Sequence, residues 1–249
     1  MTYILTIGGS DVLSGGGIQT DLATFKKKNL FAFSIITSIV SAENLDYQIY
    51  EIPTNTLEKQ LNTLKNIPFS AIKIGFLPNF EQIELVDRFL NNFQNIPIVL
   101  DPVLVFKEIG DKKVTLVTKT LIDLLLPKAT IITPNLKEAE IITMGKISAV
   151  KDMETSCQKL IALGAKTTFV KGGNRLNTPN ALDLFYDGLT FNFLQTDKLD
   201  KNANGAGCML SSTIASYIAL GFSTLDAVKM AKRDVFSAIK NGNDYGVNP

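Results

Sequence analysis

The chain has 249 residues, 45% of them hydrophobic, which is enough for one sizeable core; its net charge of +1 offers neither a basic stripe for nucleic acid nor a charged patch for a membrane surface. It contains no histidine, which excludes Ser-His-Asp and Cys-His nucleophilic machinery and His-ligated zinc, and leaves Asp, Glu, Lys, Tyr or Cys to serve as a general base. Two cysteines, Cys157 and Cys208, make no disulfide framework, no apolar run reaches membrane-spanning length and the N-terminus carries no secretory pattern, so a cytoplasmic, reducing location is expected.

The first strand pattern, residues 3–7, leads through a Gly-rich turn into a helix over 18–28, whose end carries Lys26, Lys27 and Lys28 where cations suit the helix dipole. Strands are predicted at 31–40 and 48–52, a helix at 57–66 and a strand at 71–74. Residues 80–93 place Ile83, Val86, Phe89 and Leu90 at helical spacing, and 96–100 is a continuously apolar strand. A helix over 115–126, a strand at 130–133, helices at 136–143 and 152–163 and a strand at 167–170 follow. Strands 182–186 and 190–194 flank Asp187-Gly188, a hairpin signal, and helices over about 205–220 and 224–241 come last. Helices alternating with continuously apolar strands predict a three-layer α/β/α sandwich. Its central sheet is mostly parallel with an antiparallel edge hairpin, in a single domain over 1–249.

In such sheets ligands bind outside the carboxyl ends of the strands. The residues there are Gly8-Gly9-Ser10-Asp11, Lys73-Ile74-Gly75, Asp101-Pro102-Val103, Thr133-Pro134-Asn135, Lys171-Gly172-Gly173-Asn174 and Gly205-Ala206-Gly207-Cys208. Each has an ordinary explanation as loop chemistry; their shared rim points to a site.

The stretch Asn204 to Cys208 runs straight into an apolar helix, so free backbone N–H groups and the helix dipole favour an anion there. The same field is expected to lower the pKa of Cys208, although the stretch also reads as a plain helix start with a small buried thiol. Lys171, followed by Gly172 and Gly173, puts an ammonium beside backbone that a polyphosphate can approach. Asn135 and Glu138 read either as a capping box or as holders of the water shell of Mg²⁺, and Asp101 either as a turn aspartate or as an oxygen ligand. Ser14 to Gly17 lacks the Gly-Lys-Ser/Thr ending of a Walker-type loop and suits a lid or a close approach to a flat substrate. An anion cradle, a cation, a magnesium site and a base together fit phosphoryl transfer.

These residues resemble the ribokinase superfamily in its vitamin-kinase branch, which holds hydroxymethylpyrimidine/phosphomethylpyrimidine kinases and pyridoxal kinases built like them. The matching segments include Thr6 to Asp11, Gly17 to Leu22, Lys73 to Gly75, Val99 to Val103, Ile132 to Ala139, Val170 to Gly173 and Asn204 to Cys208. The resemblance implies an anion hole at Gly205, Ala206, Gly207 and Cys208, with Cys208 as the base where most of the superfamily has aspartate. It implies ATP contacts at Lys171, Gly172, Gly173 and Asn135, and an Asn-x-x-Glu magnesium motif at Asn135 and Glu138, with Asp101 as a further Mg²⁺ ligand. The implied substrate set is Gly9, Asp11, Gly16, Ala42, Phe76, Val103 and Phe106, the last within a lid that runs to Asp111.

Several positions depart from that pattern. Ala42 stands where pyrimidine kinases place a glutamine that bonds the aminopyrimidine edge, and Phe76 where methionine is usual. Phe106 replaces a lid cysteine of many pyridoxal kinases and cannot form a hemithioacetal. Asn204 replaces a histidine. The resemblance therefore implies ATP- and Mg²⁺-dependent phosphorylation of the hydroxymethyl group of pyridoxine, pyridoxal or pyridoxamine. Hydroxymethylpyrimidine is the alternative substrate, and a non-catalytic vitamin-binding protein on the same fold is the alternative of another class. A dinucleotide oxidoreductase is disfavoured, because Gly8-Gly9-Ser10-Asp11 lacks the Gly-x-Gly-x-x-Gly spacing. The expected partners are a small vitamin molecule, no nucleic acid, no membrane and, by analogy, a second copy of the chain.

Overall fold

The computed structural model describes residues 1–43, 46–104, 111–201 and 203–249. Strand β1 (Tyr3–Asp11) is followed by α1 (Gly17–Lys27), β2 (Phe31–Glu43), β3 (Asp46–Glu51), α2 (Thr54–Leu64), β4 (Ala71–Ile74), α3 (Phe80–Leu90) and β5 (Ile98–Leu100). Then come α4 (Asp111–Thr120), β6 (Ile131–Ile132), α5 (Leu136–Thr143), α6 (Val150–Ala162), β7 (Thr168–Gly173), β8 (Ala181–Tyr186), β9 (Phe191–Thr196), α7 (Ala206–Ala219) and α8 (Thr224–Lys240). Among the described residues the strands form one sheet in the order β3-β2-β1-β4-β5-β6-β7-β8-β9. The six strands from β2 to β7 in that order run parallel, while β3 at one edge and β8–β9 at the other are antiparallel.

Alternation along each strand builds two cores. Leu5, Ile7, Ile72, Ile74, Leu100, Ile132 and Val170 face one side, where α2, α3, α5 and α6 contribute Leu57, Ile83, Val86, Ala139 and Met153 and the segment after α4 contributes Leu121. Ile4, Ala71, Val99, Ile131, Phe169 and Phe185 face the other, under Phe25 of α1, Ile214 of α7 and Val228 of α8. Phe25 and Phe169 are fully buried. Removing a side chain of that size from water contributes about 1.5–3 kcal/mol each.

The predicted architecture holds, with three differences. The early strands make a second antiparallel edge, because β2 runs on to Glu43 and pairs antiparallel with β3. β1 extends to Asp11 through a register shift between Gly8 and Gly9, so its end leans over the rim of the sheet. The predicted helix over 115–126 is regular only to Thr120. Residues Leu121–Leu125 form a wider turn and Leu126–Lys128 a tight one, because Pro127 has no N–H to continue the ladder and Leu121, Leu125 and Leu126 must all face the core.

Candidate active site

The chain leaves β1 for β2 on one side and crosses to β4 on the other, which opens a crevice at the carboxyl ends of β1 and β4. A cavity of about 500 Å³ lies there. It brings together Gly9, Asp11, Gly16, Phe76, Asp101, Val103, Asn135, Glu138, Lys171, Gly205, Gly207 and Cys208. A second cavity of about 520 Å³ holds Gly172, Gly173 and Ala206 and shares Asn135, Lys171 and Gly207 with the first. Of the sequence-predicted residues, Ala42 does not line either cavity, and Phe106 lies outside the described residues.

Lys171 stands on the shared wall at the end of β7. Its Nζ donates to Asp101 Oδ1 at 2.9 Å. Burial works against its charge, but Asp101, Glu138 and Cys208 hold its pKa above the ordinary lysine value. Asp101 also accepts from Thr133 Oγ1 at 3.3 Å and from Ser211 Oγ at 3.1 Å, so both its oxygens are engaged. Asn135 and Glu138 form a reciprocal capping box. Asn135 Oδ1 accepts from the N–H of Glu138 at 3.0 Å, and Glu138 Oε2 accepts from the N–H of Asn135 at 2.8 Å. Burial pushes Glu138 up to about 7, against the pull of Lys171.

Among the described residues no three His, Cys, Asp or Glu side chains converge as a metal cage. Mg²⁺ keeps several waters and takes one or two carboxylates together with phosphate oxygens. Glu138 and Asp101 are the carboxylates beside Lys171, and their protein hydrogen bonds suit contact through water.

Gly205, at φ 78°, opens α7. The N–H of Ala206 is bonded to the carbonyl of Ala203 at 3.0 Å, so the anion-binding donors expected over 205–208 narrow to Gly205, Gly207 and Cys208, which have no backbone partner among the described residues. Asn204 ties this turn to the C-terminal segment, its Nδ2 donating to the Tyr245 carbonyl at 3.0 Å. Asp11 organises the facing glycine loop: its carboxylate accepts from the N–H groups of Leu13 at 3.0 Å and Gly16 at 2.9 Å.

Cys208 is partly open to the first cavity. The expected low pKa is corrected: burial pushes its thiol up to about 11, although Lys73 and the N–H of Gly17 pull it down. The partial charge of one helix turn is smaller than the cost of taking a thiolate out of water.

Sequence reasoning missed Val40 and Tyr47, which line the cavity where Ala42 was expected. Tyr47 pairs with Ala42 across β2–β3, so an alanine opposite it leaves room for its ring. Sequence reasoning set Lys73 on the rim but gave neither Lys73 nor Asp21, both in the cavity floor, a role, and it missed the Lys232–Asp183 ion pair in the second cavity. A lysine inside the apolar strand Ala71–Ile74 was the available signal, since a buried charge requires a partner.

The sequence pattern described as phosphomethylpyrimidine kinase matches residues 11–248. Pyridoxine kinase of Bacillus subtilis (strain 168) is 36% identical over 246 residues, covering 96% of this chain and 91% of that protein. The structure of pyridoxal kinase from Staphylococcus aureus in complex with AMP-PCP and pyridoxal superposes with a TM-score of 0.93 at 35% identity, covering 100% of this chain and 93% of the other. Phosphomethylpyrimidine kinase from Clostridium difficile 630 gives a TM-score of 0.82 at 32% identity, covering 96% and 100%.

Proposed function

Since this chain belongs to the phosphomethylpyrimidine kinase family and is a phosphotransferase, we propose that it transfers the γ-phosphoryl group of ATP to the hydroxymethyl group of pyridoxine, pyridoxal or pyridoxamine. The observation that carries this reading is the junction of two cavities at Lys171, Asn135 and Gly207, with Cys208 in the first of them. One cavity suits a flat ring between Phe76, Val40 and Tyr47; the other suits a nucleotide; the phosphoryl group passes where they meet.

In this account the hydroxymethyl oxygen attacks the γ-phosphorus in line, ADP leaves from the opposite side, and Cys208 Sγ, as the thiolate, takes the hydroxyl proton. The N–H groups of Gly207 and Cys208 and the Lys171 ammonium hold the charge that spreads over the transferred oxygens. Asn135, Glu138 and Asp101 would hold the water shell of Mg²⁺, which would neutralise phosphate charge when bound. Gly9 and Gly16 let the ring approach the backbone, and Asp11 shapes the loop that closes over it. A single domain carries the whole reaction, in the cytoplasm. Among the described residues no helix is long and apolar enough to cross a membrane. Ile39 and Tyr50, paired and exposed on the β2–β3 edge, supply an apolar face for a second copy.

Hydroxymethylpyrimidine is the alternative substrate, and the withdrawal of Ala42 from the cavity wall disfavours it. A glutamine at this position is long enough to reach the cavity that alanine does not. Ala42→Gln is therefore expected to lower the ratio of kcat/KM for pyridoxine to that for hydroxymethylpyrimidine by about tenfold or more. Steady-state kinetics on both substrates check this; an unchanged ratio would remove position 42 from ring selection.

A further inference from the structure

We infer that Lys73, clamped by Asp21, is a positioning residue for the Cys208 base: its buried ammonium is a fixed counter-charge in the cavity floor that favours the thiolate. The inference rests on the proposed role of Cys208, but its test does not depend on turnover.

The register of β1 and β4 sets Lys73 beside Thr6, and both side chains lie on the face covered by α1 and α7. Asp21 reaches them from α1. Its Oδ2 accepts from Lys73 Nζ at 2.7 Å and from Thr6 Oγ1 at 2.6 Å. Lys73 is 1% exposed and Asp21 0%, yet both line the cavity that contains Cys208 and Gly17. Gly75 makes the placement feasible, since a Cβ there would lie 2.8 Å from Nζ.

The cluster is incompletely satisfied. Asp21 Oδ1 is buried with no hydrogen-bond partner, and the bond to Asp21 is the only one that Lys73 Nζ makes among the described residues. A purely structural pair with spare donors and acceptors is a costly way to join a strand to a helix, because apolar side chains of the same volume do so at no desolvation penalty. A charge facing a reacting group gives the arrangement a purpose.

The groups around the thiol come from several elements. Lys73 on β4 and Lys171 on β7 are the cations that interact with it; Asp21 on α1 and Asp101 after β5 are the anions. Asp11 also stands near: a Cβ on Gly16 would lie 3.7 Å from its Oδ2 and 3.9 Å from Cys208 Sγ. Lys73 draws the thiol pKa down, and burial, Asp101 and Asp21 push it up. Both lysines are paired with an aspartate, but Lys171 also lines the second cavity, where phosphate is expected, whereas Lys73 lines only the cavity that holds the sulfur.

The test is the rate of iodoacetamide alkylation at Cys208 in the intact, substrate-free protein, read by peptide mass spectrometry between pH 7 and 10. Cys157 is 0% exposed, so its protection reports that each variant is folded. Lys73→Met and Lys73→Gln are expected to slow alkylation at a given pH by about tenfold or more, and Lys73→Arg to restore much of the rate. Asp21→Asn is expected to accelerate it, because it removes an anion while Cys208 and Asp101 still favour the charged form of Lys73. A structural role predicts instead that breaking the pair from either side acts in the same direction. Wild-type rates in the folded Lys73 variants, or slower alkylation in Asp21→Asn, overturn the inference; should the Lys73 variants expose Cys157, the Asp21→Asn rate decides. ADP release by Cys208→Ala set against the wild type tests the role of Cys208 separately.

Discussion

Cys208→Ala is expected to lower kcat by roughly 10²–10⁴ while leaving the fold and the KM for ATP nearly unchanged, which is the usual range for loss of a positioned proton acceptor. The chain has no histidine to substitute for it. Asp101 is bonded to Lys171, Thr133 and Ser211, Asp11 to two backbone N–H groups, and Asp21 to Lys73 and Thr6, so each carboxylate around the thiol is already engaged. Cys208→Asp is the informative companion. A carboxylate ionises about five units below a thiol in water, and the native thiol is pushed up to about 11. The aspartate variant should therefore retain part of the turnover and move the basic-side rise of the kcat/KM profile to lower pH. Near-full activity in a folded Cys208→Ala variant would show that the proton leaves by another route.

Gly205→Ala is expected to lower kcat by about 100-fold or more, in line with loss of an oxyanion donor, which costs roughly 10²–10³. Gly205 has φ 78°, and a Cβ there would lie 1.7 Å from the carbonyl oxygen of Gly15. That overlap is with backbone, so it is relieved only by moving the glycine loop or turning the start of α7, and either motion re-aims the N–H groups of Gly207 and Cys208. The left-handed conformation adds about 1–3 kcal/mol of strain. Gly221→Ala separates the two effects. Gly221, just beyond α7, also has a positive φ of 92°, but a Cβ there meets nothing within 4 Å. Gly221→Ala should therefore lower Tm and leave kcat unchanged. Equal kcat in both variants would mean that the α7 start does not hold the transferred group.

The parts of this site that sequence reveals are those marked by local spacing. Lys171, Asn135, Glu138 and Cys208 each sit at a strand end or a helix start, where neighbouring residues identify the position. The capping box of α5 is readable in three residues of spacing, and the structure adds that its carboxylate is buried beside Lys171. Tyr47 was not legible, because its entry into the cavity depends on the β2–β3 register that sets it opposite Ala42. The Lys73–Asp21 contact spans 52 residues, and neither partner sits in a motif that names the other. The pKa of Cys208 was misjudged for a related reason: a helix start is a local feature, whereas burial depends on α1, β4 and β5 closing around the sulfur. The same applies to the fold, where the mostly parallel sheet followed from alternation but the second antiparallel edge and the wide turn at Leu121–Leu125 did not.

Single-turnover transfer from γ-labelled ATP tests the central claim most directly, with pyridoxine and hydroxymethylpyrimidine offered in turn to the wild type and to Cys208→Ala. The account predicts that label moves to the hydroxymethyl oxygen of pyridoxine with one ADP released per phosphorylated ring, that transfer to the pyrimidine is slower, and that Cys208→Ala binds both ligands but transfers little label. Binding of pyridoxine without ADP release by the wild type would contradict it and identify a vitamin-binding protein on this fold, and faster transfer to the pyrimidine would reverse the assignment of the ring.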